Sequence, residues 1–323
     1  KNMTQQSIQV LFRIRPLIKD EKDFSWDINE SKIQLLPSLQ EKHNVQPFDF
    51  TKIFEETSTN EQVYQEQIEP LVEKLLEGQN CTVIAYGQSS AGKTSTMFRG
   101  PAGQQGIVYL VAQQLFKLTS QSSHRIKCQF IEIYNENIVD LLSKKSPQIR
   151  EEAGQIQLTG CDEPKLSNIQ ELENIIQQGQ KNRTQSETAL NEASSRSHAV
   201  LRIVLEQGDV LNLPTRKGFR ASRQSSFTLV DLAGSEKLNK SGATGEKLKE
   251  GNSINQSLMT LGLVISQLAK KSAFINYRDS KLTRLLQNSL GGNSITFIIG
   301  CISPALVHVE ESINTMRFCS RAM

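Results

Sequence analysis

A chain of 323 residues, 37% of them hydrophobic and 22% charged, has enough apolar content for a sizeable core and reads as an ordinary soluble globular protein. No apolar run reaches the roughly 18–20 residues that cross a bilayer, and the opening Lys1-Asn2-Met3-Thr4-Gln5-Gln6 has no signal-peptide core, so membrane insertion is not expected. Net charge is only +3, but nine basic and three acidic residues fall between Lys237 and Arg284, a local +6 that suits an acidic partner surface and equally a solvated face with no partner.

In chain order, a strand is predicted over 8–14, with Ile8, Val10, Phe12 and Ile14 on one face. A helix over 60–77 precedes a short, wholly apolar strand at 82–86, the pattern of a buried central strand. A helix at 107–118 and an alternating strand at 127–134 follow. The polar stretch 143–165 reads as a surface loop or hairpin, and 168–180 as a helix. Strands are expected within 198–205 and at 226–230, separated by a second loop or hairpin at 207–224. The clearest helix covers 249–269, where Ile254, Leu258, Leu261, Ile265 and Leu268 recur at spacings of 4, 3, 4 and 3. Gly251 weakens its start. A helix at 280–288, a buried strand at 295–302 and a helix at 309–322 complete the chain. The alternation implies an α/β domain, and no linker or internal repeat divides 1–323. The five cysteines are scattered without metal spacing, as expected of reduced thiols in a cytosolic protein.

The segment Gly87-Gln88-Ser89-Ser90-Ala91-Gly92-Lys93-Thr94 matches GxxxxGK[ST] directly after the strand at 82–86. Glycines let backbone N–H groups turn toward phosphate oxygens, Lys93 supplies a cation to the outer phosphates, and the Thr94 hydroxyl suits Mg²⁺. This makes the fold a single P-loop NTPase-type domain, a central mixed, mainly parallel sheet with helices on both faces. By itself the loop specifies only a nucleoside triphosphate with Mg²⁺. A strand ending in Asp231, followed by Leu232-Ala233-Gly234-Ser235-Glu236, can complete the metal shell and bring the Gly234 N–H to a γ-phosphate. Upstream, Asn191-Glu192-Ala193-Ser194-Ser195-Arg196-Ser197-His198 offers hydroxyls for metal and water and an arginine for a carboxylate.

In this order and spacing, these three motifs resemble those of the kinesin motor domain. The resemblance extends to Arg13-Ile14-Arg15-Pro16, to Tyr277-Arg278-Asp279-Ser280-Lys281-Leu282-Thr283-Arg284-Leu285-Leu286 and to Ser289-Leu290-Gly291-Gly292-Asn293, and so covers nearly the whole chain. It implies a microtubule-stimulated ATPase using ATP and Mg²⁺, at work on cytoplasmic microtubules. Arg13, Arg15 and Pro16 would line the adenine and ribose pocket, with Ser95 also near the base. Ser194 and Ser195 would close over the γ-phosphate, Ser195 with Thr94 near the metal and Asp231 reaching it through water. Arg196 and Glu236 would form a closing ion pair, and His198 would be structural rather than a general base. The microtubule face would comprise Lys237, Lys240, Lys247, Lys249, Lys270, Lys271, Arg278, Lys281 and Arg284, with a second patch at Lys144, Lys145 and Arg150.

Three departures from the family pattern stand out. Asn255-Gln256-Ser257 lacks a lysine common in relatives, Ser95 replaces a bulkier residue, and the loop after the long helix has only two lysines. These leave a microtubule tether with weak ATPase as the alternative. A GTPase is disfavoured by the lack of an NKxD-type motif, and myosin by the YRDSKLTRLL segment. The opening residues and the SLGGNS run lean toward conventional, N-terminal-motor relatives, and the chain is expected to stop just before a neck linker. With no sustained heptads the chain is expected to be monomeric, any dimer forming through other segments, and no nucleic-acid partner is expected.

Overall fold

The computed structural model describes residues 8–19, 21–99, 103–152, 154–187, 195–213, 216–236 and 246–323, and within them the side chains outside 184–187, 209–213, 216–222 and 246–255. The first third holds β1 (Gln9–Ile14), β2 (Trp26–Asn29), β3 (Lys32–Leu35), α1 (Pro37–His43), β4 (Phe48–Asp49), β5 (Lys52–Phe54), α2 (Asn60–Val63), α3 (Glu69–Leu76), β6 (Asn80–Tyr86) and α4 (Lys93–Met97). The middle holds α5 (Ile107–Thr119), β7 (His124–Tyr134), β8 (Asn137–Asp140), β9 (Gln148–Glu152), β10 (Gln155–Thr159), β11 (Lys165–Leu166), α6 (Ile169–Glu187), β12 (His198–Leu213) and β13 (Arg216–Asp231). The last part holds α7 (Glu246–Ala269), α8 (Lys281–Leu285), α9 (Gln287–Gly291), β14 (Ser294–Ile302) and α10 (Val309–Ala322).

A nine-stranded sheet runs β11-β7-β12-β13-β6-β14-β1-β5, with β8 paired to β7. The sheet is mixed, as expected, but its parallel share is half: β5–β1, β1–β14, β14–β6 and β6–β13 are parallel, while β13–β12, β12–β7, β7–β11 and β7–β8 are antiparallel. Direct reversals produce two of the antiparallel pairs, β7–β8 and β12–β13, whereas β7 meets β11 and β12 only after longer connections, the second of which includes α6.

Side chains of each central strand divide between two buried clusters. Cys81, Val83 and Ala85 of β6 face α3, α5 and α6, whereas Ile84 and Tyr86 face α7, α8 and α10. Burial on both faces explains why this strand reads as an unbroken apolar run. The apolar stripe of α7 is borne out at Leu258, Leu261 and Ile265, buried against the second face, and at partly buried Leu268; Val264 joins them, and the Ile254 side chain lies outside what is described.

Two predicted helices are interrupted. Over 60–77 a π-helical turn, Tyr64–Ile68, separates α2 from α3. Pro70 lies in the first turn of α3, has no N–H, and its ring crowds the carbonyl of residue 66, so the ladder loosens there. Over 280–288, Ser280 caps α8 by accepting from the Leu282 N–H, and α9 restarts beyond Leu286. Both polar stretches contain hairpins: β9–β10, and the long continuation of β12 into β13 with a register shift at Gln207/Gly208. The small sheet β2-β3-β4 escaped prediction because its strands are two to four residues long.

Candidate functional site

The phosphate loop leaves β6 at Gly87, whose φ of 151° and tight seat allow no side chain: a Cβ there would lie 2.1 Å from the Cys301 carbonyl oxygen. Gly92, at φ 94°, turns the chain into α4. Lys93 is buried and donates to the carbonyls of Gly87 (2.8 Å) and Gln88 (2.7 Å). Burial lowers its pKa, opposed by Asp231 and Glu236. A buried ammonium whose hydrogen bonds among the described residues go to two backbone carbonyls is matched to an incoming anion. Gln88 and Ala91 are buried in the loop; Ser90 is exposed at φ 59° and its carbonyl accepts from Arg15 Nε at 2.6 Å.

Asp231, at the end of β13, is 1% exposed. Its Oδ2 accepts the Thr94 hydroxyl at 2.7 Å and lies 3.4 Å from Arg183 Nη1, while its Oδ1 has no partner among the described residues. An orphaned carboxylate oxygen beside a threonine hydroxyl at the loop's mouth is a donor set that fits Mg²⁺. Arg183 was not anticipated. It lies on α6 and joins Asp231 to Glu132 (3.5 Å) and to the Ser197 carbonyl (3.0 Å). No motif surrounds it in sequence; only the packing of α6 against β7, which brings Arg183 to Glu132 and Asp231, reveals its role.

The Asp231–Glu236 segment is fastened to its neighbours by backbone. The Gly234 N–H donates to the Ser195 carbonyl at 2.7 Å, and the Ser235 N–H to Gly87 at 3.1 Å. The Ala233 N–H donates to His198 Nδ1 at 3.0 Å, leaving His198 Nε2 to donate to Ser257 Oγ of α7 at 2.8 Å. His198 is therefore structural, and burial pushes its pKa down to about 3. Glu236 accepts the Ser89 N–H at 2.8 Å and the Ser89 hydroxyl. The expected Arg196–Glu236 latch is thus replaced in this structure by a Glu236–Ser89 contact, because the loop's N–H donors attract a carboxylate as they do a phosphate. Ser195 and Arg196 are half-buried beside it; Ser194 lies outside the described residues.

Near the expected base pocket, Arg13 donates to Thr96 Oγ1 (2.7 Å), to the Ser58 carbonyl (3.2 Å) and to Asn60, so it braces the wall. Arg15 is clamped by Glu21, whose pKa its hydrogen bonds hold down to about 2, and donates to the carbonyl of exposed Pro16. Ser95 contributes its carbonyl to Asn60 Nδ2 at 2.9 Å. Asn60 and Glu21 were likewise invisible to motif reading.

This combination of loop, Asp231 strand end and hydroxyl-rich segment can be compared with known proteins. The sequence profile of the kinesin motor domain matches residues 13–323. The chain belongs to the kinesin motor domain family. Kinesin-like protein KIN-14A of Oryza sativa subsp. japonica is 40% identical over 98% of the chain, and chromosome-associated kinesin KIF4A of Homo sapiens is 38% identical over 98%. The chain spans 33% and 26% of those relatives, so about a quarter to a third of their length. Among solved structures, that of a fast kinesin superposes with a TM-score of 0.86 at 33% identity, covering 99% of this chain and 92% of the other. A KIF14 dimer in a two-heads-bound state with AMP-PNP on a microtubule gives 0.85 at 32% identity, covering 99% and 94%.

In this kinesin motor domain the expected basic face is only partly free. Lys270, Lys271, Lys281 and Lys144 are exposed. Lys145 is exposed but pairs with Asp162 at 3.0 Å. Arg284 is largely covered and bonds Glu151 of β9 at 2.5 Å, and the same carboxylate lies 3.7 Å from exposed Arg278. Lys247 and Lys249 belong to α7 by their backbone; their side chains, and all of Lys237 and Lys240, lie outside what is described.

Proposed function

We propose that this kinesin motor domain, extending over the whole chain, is an Mg-ATP hydrolase stimulated by microtubules, turning hydrolysis into movement along them or force upon them. One observation supports this above the others: Asp231–Glu236 is tied at once to the phosphate loop through Gly87 and Ser89, to Ser195, and through His198 to Ser257 of α7. A change of contacts at a γ-phosphate therefore bears directly on the helix that leads into Lys270, Lys271 and Arg278.

Thr94 and Asp231, with Ser195, would hold Mg²⁺, which when bound neutralises phosphate charge. Lys93 holds the outer phosphates, and Ser89 and Ser90 supply loop donors. Gly234 and Ser195 set the distance between the two sensing segments, and release of Glu236 from Ser89 frees its carboxylate for Arg196. That closed pair excludes bulk water and fixes the attacking one. The solved relative carrying AMP-PNP on a microtubule supports both ligands.

The test is steady-state ATPase rate against microtubule concentration at low and moderate salt, with Glu236→Ala beside the wild type. We expect stimulation that saturates, weakens with salt and is lost in the variant. Binding without stimulation would support a tether, the reading favoured by Gln256, which is exposed on α7 where relatives carry lysine. ATP turnover indifferent to microtubules would reject both.

A further inference from the structure

The sheet face that carries α7 changes character along its strands. Nearest the nucleotide, Ile131, Val200, Val230, Ile84 and Ile298 stand in register across β7, β12, β13, β6 and β14 and are all buried. Two residues further along each strand, the row reads Gln129, Arg202, Thr228, Thr82 and Thr296. An arginine in mid-sheet between a glutamine and a threonine is no ordinary core position. The row faces the β9–β10 hairpin and α9, and between them lies a cavity that widens into a cleft of about 420 Å³, walled by Asn80, Gln129, Gln155, Glu163 and Arg202. That volume falls in the range of about 300–1,000 Å³ common to small-molecule sites.

Three groups in this cleft lack complete partners or carry charge. Among the described residues, no hydrogen-bond acceptor or carboxylate reaches the Arg202 guanidinium; burial disfavours its charge, and Glu163 attracts it from beyond ion-pair distance. Gln129 is 3% exposed; its Nε2 donates to Glu163 while its Oε1 has no partner among the described residues. Glu163 stands at the exposed rim. A simple anion would satisfy Arg202 but meet Glu163 and leave the Gln129 oxygen orphaned. A simple amine would do the reverse. A molecule carrying both ends satisfies all three at once.

We propose that this cleft binds a small zwitterion of the amino-acid class, its carboxylate on Arg202 and its ammonium donating to Gln129 Oε1 and Glu163. Two threonines of the row are engaged elsewhere: Thr82 donates to Ser289 Oγ at 2.8 Å, and Thr296 to the Ser289 carbonyl. The site is separate from the phosphate loop and does not rest on the ATPase reading.

Isothermal titration of the Mg-ADP-loaded chain with γ-aminobutyrate, with butyrate and butylamine as one-ended controls, tests it. We expect γ-aminobutyrate to bind about tenfold more tightly than either control, and Arg202→Met to weaken it by about tenfold or more with ADP affinity unchanged. Gln129→Leu, which leaves the arginine in place, is expected to reduce the advantage over butyrate and serves if Arg202→Met does not fold. No binding up to about 50 mM, or equal binding by wild type and both variants, would overturn the site. Butyrate binding as tightly as γ-aminobutyrate would overturn the zwitterion.

Discussion

At residue scale, two single groups set how the site responds to change. His198 is buried and neutral, bridging Ala233 and Ser257. Folding holds its pKa near 3, whereas the unfolded chain takes up this proton near 6.5, so between those values the unfolded state binds more protons. Stability therefore falls as pH drops through this window. Urea midpoints measured from about pH 7.5 to about pH 5 should decline in the wild type and decline less in His198→Gln. Gly234 has a different constraint. A Cβ there would lie 2.4 Å from both Glu236 carboxylate oxygens and from Ser89 Oγ. Gly234→Ala should keep the fold, displace Glu236, and lower microtubule-stimulated kcat by about a hundredfold, since displacements near 1 Å cost that much. A rate within twofold of wild type would show that Glu236 does not act from this position.

At the scale of elements, β9 restrains the basic face. Glu151 draws Arg284 and Arg278 toward the hairpin, and hydrogen bonding from Arg284 lowers its pKa. Arg284 thus acts first as a brace between β9 and α8. Exposed ion pairs are weak and screened, so the competition is modest. Glu151→Gln should tighten microtubule affinity by about threefold at low ionic strength and not at all near 150 mM salt. Cosedimentation at both conditions measures this; weaker binding at low salt would mean that Glu151 orients the arginines for the partner instead. The tip of the β7–β8 turn joins the same assembly, Glu136 accepting the Lys281 N–H at 2.6 Å where α8 begins.

Across the whole molecule, the last helix returns to the strand that ends in the phosphate loop. Tyr86 of β6 stacks on Phe318 of α10 with ring centroids 3.7 Å apart and planes 10° from parallel. Phe318 is 3% exposed, and Met316 and Cys319 are fully buried beside it. Phe318→Ala should destabilise the domain by about 3–5 kcal/mol. Because the stack adjoins Gly87, nucleotide affinity should fall together with the denaturation midpoint, measured by chemical unfolding and fluorescent-nucleotide titration. Loss of stability with unchanged affinity would confine the stack to packing.

The sequence alone marked the candidate nucleotide site, because the phosphate loop and the Asp231–Glu236 segment are each contiguous and their glycine spacing encodes the backbone geometry that a phosphate site needs. It likewise determined the long helix and the buried strands, whose periodicity is local, and the structural role of His198. It did not reveal Arg183, Asn60 or Glu21, which reach the site from distant elements without a motif of their own. Nor did it distinguish free from neutralised cations: Lys145, Arg278 and Arg284 read alike in sequence, and only packing of the 148–159 hairpin against α8 gave Arg284 a carboxylate. The half-antiparallel sheet and the mid-sheet position of Arg202 depend on which strands pair and in what register. Local propensity carries no record of that choice; burial of both faces of the sheet decides it.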